Sequence, residues 1–162
     1  MNMSIVIRDA VLDEVEDLSK LAMCSKAYWG YSDEFMELCR EELLVSPDDI
    51  ESSKTHYAVA ERQDEIVGYC ALERLSDSEF ELEALFVKPE CIGSGIGRAL
   101  LTHAKNYAAA RGGRTLTIQG DPNAVNFYRA VGGKLTGRRE SGSIPGRFLP
   151  TFEILLTVKK VL

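Results

Sequence analysis

The chain has 162 residues, 45% apolar and 27% charged, enough to bury a core without disulfide or metal staples. Nineteen Lys and Arg against twenty-five Asp and Glu leave a net charge of −6, the wrong sign for holding nucleic acid through its phosphates and better suited to cationic partners. No apolar run approaches the ~20 residues that cross a bilayer, and MNMSIVIRDA carries no basic leader with a long apolar stretch. The expectation is a cytoplasmic chain with no membrane or nucleic-acid partner, folded as one domain over residues 1–162.

In chain order, residues 3–8, MSIVIR, read as a strand. Val11, Val15, Leu18 and Leu21 then recur at helical spacing, with Asp13, Glu14, Glu16 and Asp17 in the early turns, where the helix dipole favours acids. A second helix is predicted over Asp33 to Val45, with SPDD as its stop. The aromatic loop SKAYWGYS separates the two. Three β-rich runs follow, HYAVAER, EIVGYCALERL and EFELEALFV; only QD and SDS part them, which predicts an antiparallel meander.

Next comes KPECIGSGIGRALL, residues 88–101, where Gly93, Gly95 and Gly97 lie between the last run and a long helix. Ile96, Leu100, Ala104 and Tyr107 mark one face of that helix, and RGG ends it. TLTIQ is then a strand, reached by a crossover long enough to require a parallel pair. Asp121 and Pro122 open another helix, with Ala124, Phe127, Tyr128 and Val131 on one face. KLTGRRES and TFEILLTV close the chain as two strands joined by GSIPGRFLP. The order β-α-α-β-β-β-α-β-α-β-β makes an α/β layer protein with a mixed (α+β) sheet.

A helix that begins at a glycine loop offers unpaired amides at the positive end of its dipole, and glycines remove the Cβ atoms that would hold an anion away. The spacing lacks the Gly-Lys-Ser/Thr ending of a triphosphate loop and the G-x-G-x-x-G of a dinucleotide fold, whose strand and loop would also lie near the N-terminus. Strict alternation along FELEALFV places Glu81, Glu83, Leu85 and Val87 on one face and Phe80, Leu82, Ala84 and Phe86 on the other. Two carboxylates thus share a face. Cys24, Cys39, Cys70 and Cys91 have no metal-site spacing, and His56 and His103 add none, so no metal is expected. Cys91 stands beside the anion loop.

LFVKPECIGSGIGRALL at 85–101 and NAVNFYRAVGG at 123–133, in that order within this element sequence, resemble the GNAT family, the GCN5-related acyl-CoA N-acyltransferases. The first matches V-x-P followed by [QR]-x-x-G-x-[GA], the second A-x-x-F-Y-x-x-x-G-[FA], and the likeness covers nearly all of the chain. Two positions depart: Ile92 stands where the family has Gln or Arg, leaving backbone amides and Arg98 for the anion, and Asp121 stands where Asn is usual, with Asn123 as a substitute contact.

The resemblance implies that the anion is the diphosphate of coenzyme A, as acetyl-CoA. It would be held by the amides of Ile92, Gly93, Ser94, Gly95, Ile96, Gly97 and Arg98. The pantetheine arm would pair along Leu85, Phe86 and Val87, where that strand and TLTIQ splay apart, with Asn123 and Phe127 beside it. Tyr128 matches the tyrosine that protonates the departing thiolate, although it also shares the helix's apolar face. Glu81 occupies the place of the general base in the family's histone-acetylating members, Glu83 is an alternative acting through water, and both could equally be solvated strand residues. An oxyanion would rest on a backbone N–H near Phe86 or Val87.

Tyr28, Trp29 and Tyr31 are expected either as an aromatic wall for the acceptor or as core or dimer contacts, and Arg147 as a grip for a substrate carboxylate. The activity implied is acetyl-CoA-dependent N-acetyl transfer to a primary amine, a small molecule rather than a protein, by direct attack in a ternary complex. The alternative is a catalytically weak acyl-CoA-binding or sensing module on the same fold. A homodimer is compatible with either.

Overall fold

The computed structural model describes residues 4–156, so the strands predicted over 3–8 and 151–158 are seen only in part, and the expected domain limits at 1 and 162 lie outside the described residues. Seven strands form one mixed sheet in the order β1 (Val6–Asp9), β2 (Thr55–Arg62), β3 (Glu65–Arg74), β4 (Glu79–Val87), β5 (Thr115–Gln119), β7 (Phe148–Leu155) and β6 (Lys134–Glu140). The predicted meander is β2, β3 and β4, all antiparallel neighbours. Its first turn is the dipeptide Gln63-Asp64, with φ of 53° and 62°, the left-handed pair that matches the twist of a tight hairpin. Among the strand pairs of the described residues, β4 and β5 alone run parallel. The crossover between them is the long helix α4, Ile96–Ala110.

Helices cover both faces of the sheet, which is why β2 reads as an unbroken apolar AVA run. On one side Ile96, Leu100, Leu101, Ala104 and Ala108 of α4 pack with Ala58, Ala60, Leu72, Phe80 and Leu82. On the other, α1 (Val15–Ala27) and α2 (Asp33–Leu43) set Leu18, Leu21, Ala22, Met36 and Cys39 against Val59 and Tyr69. Each fully buried leucine contributes about 1.5–3 kcal/mol, so these two clusters hold the strands that carry the site.

Several elements differ from expectation. Helix α2 stops at Leu43 rather than Val45, and the SPDD taken as its stop instead starts a short helix α3, Pro47–Glu51. There Ser46 Oγ accepts from the Asp49 amide at 3.3 Å while the Asp49 carboxylate accepts from the Ser46 amide at 2.9 Å, with Pro47 at the first helical position. The helix opened by Asp121 begins as a 3₁₀ turn, Pro122–Ala124, before α5, Val125–Ala130. Strand β7 starts at Phe148 and so runs through Pro150. Nitrogen and oxygen of a strand residue face the same way, and the Pro150 carbonyl accepts from Gly120, just past the last β5 pair, Gln119 with Thr151. The missing proline donor therefore falls where no β5 residue needs it.

The irregularity that shapes the site is in β4. Opposite β3, Ala84 pairs with Ala71 and Leu82 with Leu72, leaving Glu83 as an extra residue. This bulge corrects the expected alternation: Leu85 and Val87 join Phe80 and Leu82 on the α4 face, while Ala84 and Phe86 turn to the α1–α2 face. Pairing with β5 ends at Leu82–Ile118, so β4 beyond it has a free edge.

Candidate functional site

A cleft of about 580 Å³ runs from the glycine loop, past the free edge of β4, to the β6–β7 turn. At its first end Gly93 and Gly95 have φ of +87° and +89°, and a Cβ built at either would meet nothing within 4 Å. Glycine permits this backbone, and the loop leaves open space where side chains would stand. The first amide of α4 with a helical partner is Ala99, which donates to the Gly95 carbonyl. Among the described residues the amides of Gly93, Gly95, Ile96, Gly97 and Arg98 have no acceptor, whereas those of Ile92 and Ser94, expected beside them, are taken up in the loop's own turns, donating to Pro89 at 3.3 Å and Cys91 at 3.2 Å. Free amides at a helix N-terminus suit an anion.

The side chains around it sort themselves. Ile96 is fully buried against the sheet and contributes its amide only, and Ser94 is tied through its hydroxyl to the Cys91 carbonyl. Ile92 is 39% exposed and Arg98 also lines the cleft, as does Phe127, whose ring lies 3.5 Å from where a Gly97 Cβ would be. Cys91 is buried and accepts from Arg62 Nη2 at 3.1 Å.

Along the β4 edge, strand geometry decides which amide serves the gap. Lys88 donates to Val67 on β3 at 2.8 Å, and successive amides alternate sides. The Phe86 amide therefore faces β3, and those of Leu85 and Val87 face the gap. Of the two positions expected to hold an oxyanion, Phe86 is excluded and Val87 remains, its amide donating across the gap to the Ser25 hydroxyl at a long 3.4 Å.

Tyr128 is brought to the cleft by α5 with its ring seated in the core, 5.4 Å from Phe152. A Cβ at Gly120 would come within 2.9 Å of that ring, so only glycine lets β5 end so close to it. The residue is 7% exposed, and its hydroxyl has no partner among the described residues. No fully buried side-chain polar atom there lacks a hydrogen bond, so this hydroxyl opens onto the cleft. Burial, then the charge of Asp121, pushes the phenol pKa up, and the proton stays on at neutral pH.

At the other end the bulge and the β3–β4 register gather three carboxylates. Glu73, Glu81 and Glu83 offer oxygens all within 4.8 Å of one another. Glu73 stands directly across from Glu81, a pairing of like charges that costs stability and that the sequence alone did not single out. Arg139 of β6 donates to Glu81 at 2.7 Å and to Gln119 at 3.3 Å. Glu83, exposed as a residue but with its carboxyl end among these groups, has no such cation among the described residues. Its desolvation, then the Glu73 and Glu81 carboxylates, push its pKa up to about 8.

The sign of that shift fixes a stability effect. The folded protein keeps a proton on Glu83 that the unfolded chain releases, so ionisation weakens the fold progressively from about pH 4.5 and fully above about 8. Glu83→Gln is expected to stabilise the protein by about 1 kcal/mol at pH 9, a value kept small by solvent screening, and by nothing at pH 4. Denaturant melts at the two pH values measure it, and equal gains at both would remove the shift.

The aromatic loop is not one wall. Trp29 lines the cleft, 5.4 Å edge-to-face from the more exposed Tyr28, which does not. Tyr31 also stays out of the lining and stacks on Phe35 at 4.1 Å. Its hydroxyl donates to Asp121 at 2.8 Å and accepts from Arg147 Nη2 at 2.8 Å and Asn123 Nδ2 at 3.0 Å. Arg147 lines the cleft from the β6–β7 turn with part of its guanidinium already engaged. Asp121 and Lys26 of this network, like Ser25, were not among the residues singled out as site candidates.

Comparison with known proteins agrees with this geometry. The sequence model described as "Acetyltransferase (GNAT) family" matches residues 15–132. "Peptidyl-lysine N-acetyltransferase YjaB" of Escherichia coli is 40% identical over 83 residues, 51% of this chain and 51% of its own. "N-alpha-acetyltransferase RimI" of Mycobacterium tuberculosis is 34% identical over 96 residues, 56% of this chain and 60% of its own. The chain thus spans only about half the length of the curated relatives it matches. A solved structure, PaiA N-acetyltransferase of Thermoplasma acidophilum in complex with coenzyme A, superposes with a TM-score of 0.80 at 25% identity, covering 94% of this chain and 99% of that one.

Proposed function

The chain belongs to the acetyltransferase (GNAT) family, and from that premise we propose that it transfers an acetyl group from acetyl-CoA to a primary amine. The observation that carries this is the continuity of one cleft from the unpaired amides of Gly93, Gly95, Gly97 and Arg98, past the free β4 edge, to Tyr128, Glu81 and Glu83. The PaiA structure holds coenzyme A on the same fold. The open positions at Gly93 and Gly95 suit a diphosphate, and the donor-rich edge at Leu85 and Val87 suits an amide-bearing arm.

Acetyl-CoA supplies a thioester, already activated toward attack by nitrogen. The chain's own groups do the rest. An ammonium with a pKa near ~10.4 arrives protonated; the Glu73 and Glu81 carboxylates attract it, and the ionised fraction of Glu83, with no cation beside it among the described residues, takes its proton near neutral pH. The Val87 N–H faces the gap where negative charge develops on oxygen, and Tyr128 holds a proton at Oη for the departing sulfur. Candidate base, oxyanion donor and acid all line the same cleft.

The acceptor is a small amine rather than a protein lysine in this reading. The β6–β7 turn is tied across to α2 and its preceding loop by Ser143 to Glu42 at 2.8 Å and Arg147 to Tyr31, which closes one side of the acceptor end. The test is thiol release from acetyl-CoA with a panel of small primary amines and with lysine-bearing and free N-terminal peptides. Release is expected with small amines above hydrolysis, with peptides slower by ~10-fold or more in kcat/KM. Faster release with peptides would reverse the substrate class, and no release with any acceptor would remove the activity.

A further inference from the structure

Asp121 lies where four parts of the acceptor end meet, and its carboxylate is the group they share. It accepts from the Tyr31 hydroxyl of the α1–α2 loop at 2.8 Å, and from the Asn123 amide at 2.9 Å and Asn123 Nδ2 at 2.8 Å. Lys26 Nζ from the last turn of α1 is 3.5 Å away and Arg147 Nη2 from the β6–β7 turn is 3.9 Å away. The three charged side chains are 15–19% exposed, so water screens them little. Arg147 also lies over the Phe35 ring at 4.7 Å and the Tyr31 ring at 5.2 Å.

We infer that Asp121 is a positioning residue that ties the acceptor-side loops to the segment bearing Tyr128, so that acid and acceptor wall are set as one unit; this rests on the acetyltransferase reading. Asp121 caps the turn leading into α5 through the Asn123 amide, and Tyr128 follows within α5. The same carboxylate neutralises two cations from separate segments. Burial would raise its pKa, but the Asn123 amide, the Tyr31 hydroxyl and Lys26 outweigh that and hold it below the usual carboxylate range. Without the charge Lys26 and Arg147 would face each other unneutralised, and the β6–β7 turn would keep only the Arg147 bond to the Tyr31 hydroxyl and its stacking on Phe35 and Tyr31 on this side. From α2 itself, Glu42 to Ser143 would hold the turn as well, with a longer Cys39–Ser143 contact at 3.7 Å.

Asp121→Asn keeps the shape and the hydrogen-bond acceptor while removing the charge. The expected result is KM for the amine raised ~10-fold and kcat lowered, with acetyl-CoA affinity within ~2-fold. Hydrogen exchange in the whole chain is read at the turn amides of Ser141, Ser143, Ile144, Gly146 and Arg147, which have internal acceptors, and is expected to quicken by ~10-fold. Adding Lys26→Met, which removes one stranded cation, is expected to restore part of that protection, a rescue that a merely structural role would not give. Unchanged exchange and KM, or a parallel loss of acetyl-CoA affinity, would overturn the inference. Exchange needs no turnover, so a wild-type chain without amine-dependent thiol release would sink the acetyltransferase reading while the exchange result still judged the tie.

Discussion

Gly95→Val is expected to weaken acetyl-CoA binding by ~100-fold or more, about 2.7 kcal/mol, the largest loss from any single change in the cleft. Two causes add. Gly95 has φ of +89°, a conformation that costs an L residue about 1–2 kcal/mol and a β-branched one more. Beyond strain, the added side chain enters the open space beside the unpaired amides, where no atom of the protein stands within 4 Å. Gly95→Ala carries much of the strain with only a methyl, so it separates the causes: it is expected to lose about 10-fold. A thermal melt and calorimetric titration of both variants decide. Equal affinity for wild type and Gly95→Val would mean the cradle holds no ligand.

Tyr128→Phe is expected to lower kcat by ~10²-fold, the lower end for a proton donor, and to leave acetyl-CoA affinity within ~2-fold. The ring stays seated beside Gly120 and Phe152, and the hydroxyl that is removed has no partner among the described residues. Stability should therefore move by no more than about 0.5 kcal/mol. The loss stays at that lower end because a thiolate of parent pKa ~8.5 leaves reasonably well unaided. Single-turnover and steady-state rates with one accepted amine measure the change. An unchanged kcat would make Tyr128 a packing residue, the other role its position on the apolar face allowed.

Much of this was legible in the sequence. The meander, the parallel crossover and the glycine loop were readable because periodicity, short turns and α4 speak for themselves over ten or more residues. Less legible was whatever a single residue decides against the local pattern. Glu83 breaks the β4 alternation by one place, and nothing in FELEALFV marks a bulge, because the shift is set by pairing with β3. Pro150 read as loop because its lost donor matters only if β5 extends that far. SPDD read as a stop because the same residues that end one helix can cap the next. The Asp121 cluster joins residues 90 and more positions apart, beyond what spacing along one chain can indicate. Glu73 carried one usable signal: once the β3–β4 hairpin is registered, it falls opposite Glu81, and paired like charges call for a reason.

The central claim is that free amides at the start of α4 bind the diphosphate and so aim the thioester at the β4 edge. The most direct measurement is a backbone amide NMR titration with coenzyme A, repeated with pantetheine, which lacks the diphosphate. The account predicts large shifts at Gly93, Gly95, Ile96, Gly97 and Arg98 with coenzyme A, together with Leu85 and Val87, and only the strand residues responding to pantetheine. Amides of residues 93–98 that stay in place while coenzyme A binds elsewhere, or does not bind, would contradict it.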